Sequence, residues 1–110
     1  MIGGANDLIR IAYDQIQYLC KEGKYTLFHT DKTEVFRERR ALSKVIEDMQ
    51  QVDDAFIMTD KSYGVNIRHV LRLKEHMLTM RNGDSVPVSI PRYQQVKKTI
   101  SDYWGRRAWK

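Results

Sequence analysis

Residues 56–93 read FIMTDKSYGVNIRHVLRLKEHMLTMRNGDSVPVSIPRY. Short runs rich in β-branched and aromatic residues alternate here with polar turn residues, which predicts strands at 56–59, 65–67, 69–73, 77–80 and 85–89. Asn82-Gly83 is the strongest hairpin signal in the chain, because both residues tolerate the positive φ that a type I′ turn requires. Pro87 has no N–H to give to a ladder, which places the last strand at a sheet edge. Basic and hydroxyl side chains fall at the junctions, among them Lys61, Ser62, Ser89 and Arg92. A protein that carries cations on loops is equipped to touch a polyanion with those loops rather than with a long helix.

Upstream, residues 8–13 alternate, with Ile9, Ile11 and Tyr13 on one side and Arg10 on the other, as in a half-buried strand. Asp14-Gln15 turns the chain. Runs at 16–20 and 25–30 are separated by Lys21, Glu22, Gly23 and Lys24, a hairpin in which glycine supplies the turn. A tight turn at Asp31-Lys32 leads to residues 33–37, completing a predicted meander of four strands. From Ala41 the period changes: Leu42, Val45, Ile46 and Met49 form one apolar stripe on a helix that has to cover a sheet. Downstream, Pro91 suits a first helical turn, and Tyr93, Val96, Ile100 and Tyr103 recur at helical spacing. That helix is expected to end near Trp104-Gly105. Its polar face, Gln94, Gln95, Lys97, Lys98 and Thr99, reads first as the solvated side. The expectation is one domain over 1–110, with 1–7 as an N-terminal extension and 105–110, including Arg106, Arg107 and Lys110, as a basic tail.

A chain of 110 residues suits a single domain with a modest core, and 42% hydrophobic with 30% charged content argues against disorder. The formal charge is +5. Residues 1–55 hold 8 Lys and Arg against 10 Asp and Glu, giving −2, and residues 56–110 hold 11 against 4, giving +7. Such asymmetry fits either a polyanionic partner or a solvated basic face. No apolar run approaches the roughly 20 residues of a membrane helix, and the start lacks a signal pattern, so a cytoplasmic setting is expected. Cys20 is the single cysteine, which excludes an internal disulfide and reads as a small buried apolar residue facing the same way as Tyr18. His29, His69 and His76 have no partners at metal-ligand spacing, and no phosphate loop, nucleophile elbow or acidic nuclease cluster is present. No catalysis, metal or cofactor is expected. A helix-turn-helix reader fits poorly, because long strand-like sequence separates the two helices.

The order and spacing of these pieces resemble the LytTR DNA-binding family. The resemblance rests on Phe56 and Ile57, the run Lys61, Ser62, Tyr63, Gly64, Val65, Asn66, a strand ending at Arg72 or Leu73, Asn82-Gly83, and Val86, Pro87, Val88, Ser89. Tyr93 with Val96, Lys97 and Lys98 completes it, and Tyr13, Asp14, Ile16, Tyr18, Leu27, His29 and Leu42 match more loosely. The resemblance implies a mostly β fold, an elongated arrangement of small antiparallel sheets with a short helix after the first meander and a C-terminal helix. It implies sequence-specific binding of double-stranded DNA by a bacterial transcription regulator, with loop residues in successive major grooves. Such domains usually form the output end of a two-component response regulator. A homodimer on repeated half-sites and an N-terminal receiver domain outside this chain are the partners so implied.

By that likeness three clusters meet DNA: Lys21, Lys24 and Tyr25; Lys61 and Ser62 after Asp60; and Ser89, Arg92 and Tyr93. Lys61 and Arg92 suit base edges, since a long cation reaches guanine O6 and N7. Lys21, Lys24, Ser62 and Lys97 suit the sugar–phosphate backbone. The pattern departs at Asp60, where a histidine is common, and at Ile90, where an arginine often follows the serine. Asn66 is expected to bond a turn, and Tyr63 and Val65 to lie in the core. The alternative is a basic adaptor that binds protein or RNA with the same loops.

Overall fold

The computed structural model describes residues 2–3, 8–31 and 33–108, with side chains over 10–31 and 33–106. Two short strands, β1 (Ile2–Gly3) and β2 (Leu8–Ile9), pair antiparallel. A five-stranded antiparallel sheet follows, built from β3 (Ile16–Glu22), β4 (Tyr25–Thr30), β5 (Val35–Glu38), β6 (Phe56–Asp60) and β7 (Tyr63–Asn66) in the order β5-β4-β3-β7-β6. Helix α1 (Leu42–Gln50) lies between β5 and β6 in the chain. Strands β8 (Val70–Lys74), β9 (Met77–Met80) and β10 (Ser85–Pro87) make a three-stranded sheet in the order β10-β9-β8, and α2 (Tyr93–Ala108) closes the chain. The mostly β fold expected above is thus present, in a molecule of 43 × 31 × 27 Å. No helix among the described residues is long and apolar enough to cross a membrane.

Alternation along β3, with a bulge between Ile16 and Tyr18 that resets its phase, sends side chains into two separate cores. Ile16 and Leu19 join Phe28 and Phe56 beneath the stripe Leu42, Val45, Ile46 and Met49 of α1. Tyr18 turns to the other face, where Val65, Ile67, Leu78, Met80, Val86 and Val88 meet Val96, Ile100 and Tyr103 of α2. Both predicted stripes therefore cover sheet. Gly64 lets α1 sit close on β7: a Cβ there would stand 2.8 Å from Ile46 Cδ1 and 3.3 Å from the Ile57 carbonyl oxygen. Because Ile46 is itself 1% exposed, it has nowhere to move.

Three expectations change. The strand predicted over 8–13 is only β2, and Tyr13–Gln15 forms a 3-10 turn, so the meander has three strands, β3 to β5. Asn66 explains the bend, for its side-chain amide donates to the carbonyls of Tyr13 (3.2 Å) and Ile16 (2.9 Å), bracketing the turn. Asn82-Gly83 is not a type I′ turn: only Gly83 has positive φ, at 94°. Met80 N–H reaches Asp84 O and Gly83 N–H reaches Met80 O, so Arg81, Asn82 and Gly83 form a three-residue loop. The pair with both φ positive is Glu75 (52°) and His76 (63°), joining β8 to β9. The last helix also runs past Gly105 to Ala108, where Arg106 pairs with Asp54 at 3.2 Å and lies over the Tyr103 ring. Two side chains thus hold a turn that glycine alone would weaken by about 1 kcal/mol. Residues 1 and 4–7 of the expected extension, Lys32, Lys110 and the side chain of Arg107 lie outside the described residues. Pro87 does stand in an edge strand, β10.

Asn66 is fully buried, and its Oδ1 also accepts the Arg68 N–H at 3.1 Å, which is the turn-bonding role expected of it. Asn66→Ala should cost about 1–3 kcal/mol, because the buried Ile16 carbonyl and the half-buried Tyr13 carbonyl lose a donor at once. Urea denaturation should show a lower midpoint with an unchanged slope.

Candidate nucleic-acid interface

The β3–β4 connection is a two-residue turn, Gly23-Lys24, in which Gly23 takes φ 59°. Only the first position has positive φ, the pattern of a type II′ turn, for which glycine is the residue of choice. Lys21 and Lys24 flank that glycine and are exposed. A backbone hydrogen bond from Lys21 N–H to Ser62 O (2.8 Å) fastens this hairpin end to the β6–β7 turn. In that turn Asp60 Oδ2 accepts the Ser62 N–H at 3.0 Å. The acid at position 60 therefore shapes the turn that presents Lys61.

Lys21, Lys24, Tyr25 and Lys61 line one open cleft of about 450 Å³ together with Arg39 and Arg40. The two arginines come from the segment between β5 and α1. Thr26, fully buried, donates its hydroxyl to the Arg40 carbonyl at 2.8 Å and pins that segment to β4. Five cations thus surround a cleft whose lining contains no acid. Arg40 is partly neutralised by Asp48 and by Glu38 at 3.6 Å. Among the described residues no carboxylate lies within 4.0 Å of the Lys21, Lys24, Lys61 or Arg39 charge. The amino end of α1 faces the same cleft through Leu42 and Ser43 and has no side-chain cap, so its N–H groups add to the positive field. Tyr25 is half-buried and carries the Arg37 guanidinium over its ring at 4.7 Å. Concentrated like charge is relieved by an anion, and a phosphate chain supplies one.

The third cluster does not line this cleft but is attached to it. Ser89 N–H donates to Thr59 O at 2.9 Å, two residues before Lys61. The Ser89 hydroxyl is buried without a protein partner, and it is the backbone N–H of Ser89 that holds the segment to β6. Tyr93 is half-buried against the second core, with its ring 4.1 Å from that of His76. Arg92 is half-exposed beside them. Lys97 is exposed one turn further along α2 and stands apart from the cleft. Its neighbours bond along the helix: Lys98 pairs with Asp102 at 2.9 Å, and Gln95 with Thr99 at 3.1 Å.

Sequence reading passed over Arg39-Arg40. The available signal was a basic pair at the junction of a strand and a helix, the logic that singled out Lys21 and Lys24. Nothing in the local pattern shows that the β5–α1 junction and the two lysine turns share one end of the sheet. That follows from the order β5-β4-β3-β7-β6.

A scaffold of small antiparallel sheets that gathers cations from separate loops defines a loop-bearing binding domain. A family model for the LytTr DNA-binding domain matches residues 6–101, and the chain belongs to this LytTR family, which is non-catalytic. Among solved structures, the LytTr DNA-binding domain of a Bacillus cereus protein described as a methyl-accepting/DNA response regulator superposes with a TM-score of 0.74 at 21% identity. The match covers 90% of this chain and 93% of that one, and shows the same fold. No curated protein matches the chain.

A second titratable cluster lies on the Tyr18 face of the sheet. Tyr18 donates its hydroxyl to Asp84 at 3.0 Å, stacks on His29 at 4.2 Å, and His29 Nε2 stands 3.5 Å from Cys20 Sγ. Cys20 shares the face of Tyr18 as expected, though it is half-buried rather than buried. Burial, with Glu22 nearby, raises the Cys20 thiol pKa, and burial raises that of Tyr18 with help from Asp84. This is packing around a neutral thiol. Burial also lowers the pKa of His29 below its ordinary 6.5, against an opposing pull from Asp84. The unfolded chain therefore binds a proton at His29 at higher pH than the folded one does, and stability falls as pH drops through 6.5. Urea titrations at pH 7.5 and 5.5 should show this loss, and His29→Gln should reduce the difference between the two.

Proposed function

We propose that this chain is the DNA-reading part of a bacterial transcription regulator and grips duplex DNA with the tips of its loops. The observation that carries the reading is the cleft in which Lys21, Lys24, Arg39, Arg40 and Lys61 converge from three connections. The helices favour it too, because the apolar stripes of α1 and α2 are committed to the two cores. Lys61 and Arg92 reach base edges in the major groove. Lys21, Lys24, Ser62, Lys97 and Arg39 hold the sugar–phosphate backbone, and Tyr25, Ser89 and Tyr93 shape the contacting segments. Two copies occupy repeated half-sites, and a receiver domain outside this chain supplies the signal, as in a two-component response regulator inside the cell.

The test is selection of duplexes from a random pool, followed by titration of the enriched site. Lys61→Ala should weaken binding to that site by about 1–3 kcal/mol and to random DNA by less. Equal loss on both would reassign Lys61 to the backbone. Arg39→Ala should flatten the plot of log affinity against log salt by about 0.9, the contribution of one phosphate. A chain that prefers single-stranded RNA or a protein over every duplex would instead be an adaptor.

A further inference from the structure

Ile90 is 80% exposed, the most open of the large apolar side chains among the described residues. It begins the 3-10 turn Ile90–Arg92 that leads into α2. Three backbone N–H groups around it are held: Ser89 N–H by Thr59 O at 2.9 Å, Arg92 N–H by Ser89 O at 3.1 Å, and Tyr93 N–H by Ile90 O. Pro91 fixes one φ angle, and the Tyr93 ring rests on His76 at 4.1 Å. A β-branched side chain is stiff at χ1, so this turn holds an apolar surface out to solvent with little freedom left to lose on binding. Val52 is nearly as open at 76%, but it adjoins Asp53 and Asp54, where a phosphate chain would be repelled. Ile90 instead stands two residues before Arg92, and its turn is bonded to the strand that ends next to Lys61.

Within the major groove only one base edge carries an apolar group, the 5-methyl of thymine. We infer that Ile90 is a specificity-determining residue that packs against a thymine methyl group while Arg92 donates to a neighbouring base or phosphate. The inference rests on the loop-tip reading of DNA proposed above. It assigns the segment 89–92 a preference for an A·T pair at one position of each half-site. The contact is indifferent to charge, so it changes sequence preference without changing salt dependence.

The experiment takes the duplex enriched by the full chain from a random pool and replaces its thymidines one at a time by deoxyuridine, which removes only the methyl group. At one position per half-site affinity should fall about fourfold, the worth of one buried methyl group. Ile90→Ala should bind the thymidine and deoxyuridine duplexes alike, with an unchanged salt slope, and Ile90→Val should keep part of the discrimination. Circular dichroism of both variants checks that the fold is intact. If no replacement weakens binding, or if the loss persists in full in Ile90→Ala, the inference is overturned while the loop-tip reading stands. If the chain enriches no duplex at all, both fall together.

Discussion

The double burial of β3 is the constraint on which the rest depends. This strand sits at the centre of the five-stranded sheet, between β4 and β7, and its successive residues Tyr18 and Leu19 enter different cores. A slip of one residue in register would exchange every side chain between the two faces. The aromatic Tyr18, with its hydroxyl on Asp84, would then face α1, where Leu19 now packs without exposure. Register is therefore strongly specified, and with it the position of each turn at the sheet ends. Gly64 adds a second lock, since α1 approaches β7 so closely that a Cβ there would displace the Ile46 side chain.

With both faces of the sheet covered, the surfaces left for recognition are the connections. They are not loose. The β3–β4 turn is bonded to the β6–β7 turn through Lys21 and Ser62, and the entry to α2 is bonded to β6 through Ser89 and Thr59. Asp60 closes its own turn onto the Ser62 N–H. Cations mounted on such braced turns lose less freedom on meeting a partner than the same side chains on floppy loops. The fold thus converts strand order into a fixed constellation of charge.

Much of this was legible in the sequence, and what was not has identifiable causes. The strands of residues 56–93 and both helices follow from periodicity, because burial of alternating or helically spaced apolar residues is a local pattern. Residues 8–13 alternate just as well, yet most of them do not pair, because a side chain fifty residues away, Asn66, captures the carbonyl oxygens on either side of the bend. Gly105 looked like a helix end because the ion pair of Arg106 with Asp54 is likewise non-local. Of the candidate site, Lys21, Lys24, Tyr25 and Lys61 were visible as polar residues at turns and do meet in the cleft. Arg39 and Arg40 were not, since their membership depends on which sheet edge β5 occupies. The resemblance to a family gave the third cluster its place, but only the fold shows that the Ser89 hydroxyl is buried and that Tyr93 packs on His76.

The junction of β8 and β9 runs against local preference. Glu75 and His76 both adopt left-handed backbone, a conformation that side chains with a Cβ disfavour by roughly 1–2 kcal/mol per residue. Neither is the glycine or asparagine that would bend there unaided. The reversal is imposed from outside, by the pairing of β10 with β9, by the Val88 N–H on the His76 carbonyl and by the Tyr93 ring. This hairpin is accordingly a product of tertiary assembly rather than a seed for it, and the same six or eight residues cut out as a peptide would lack the reason to fold back.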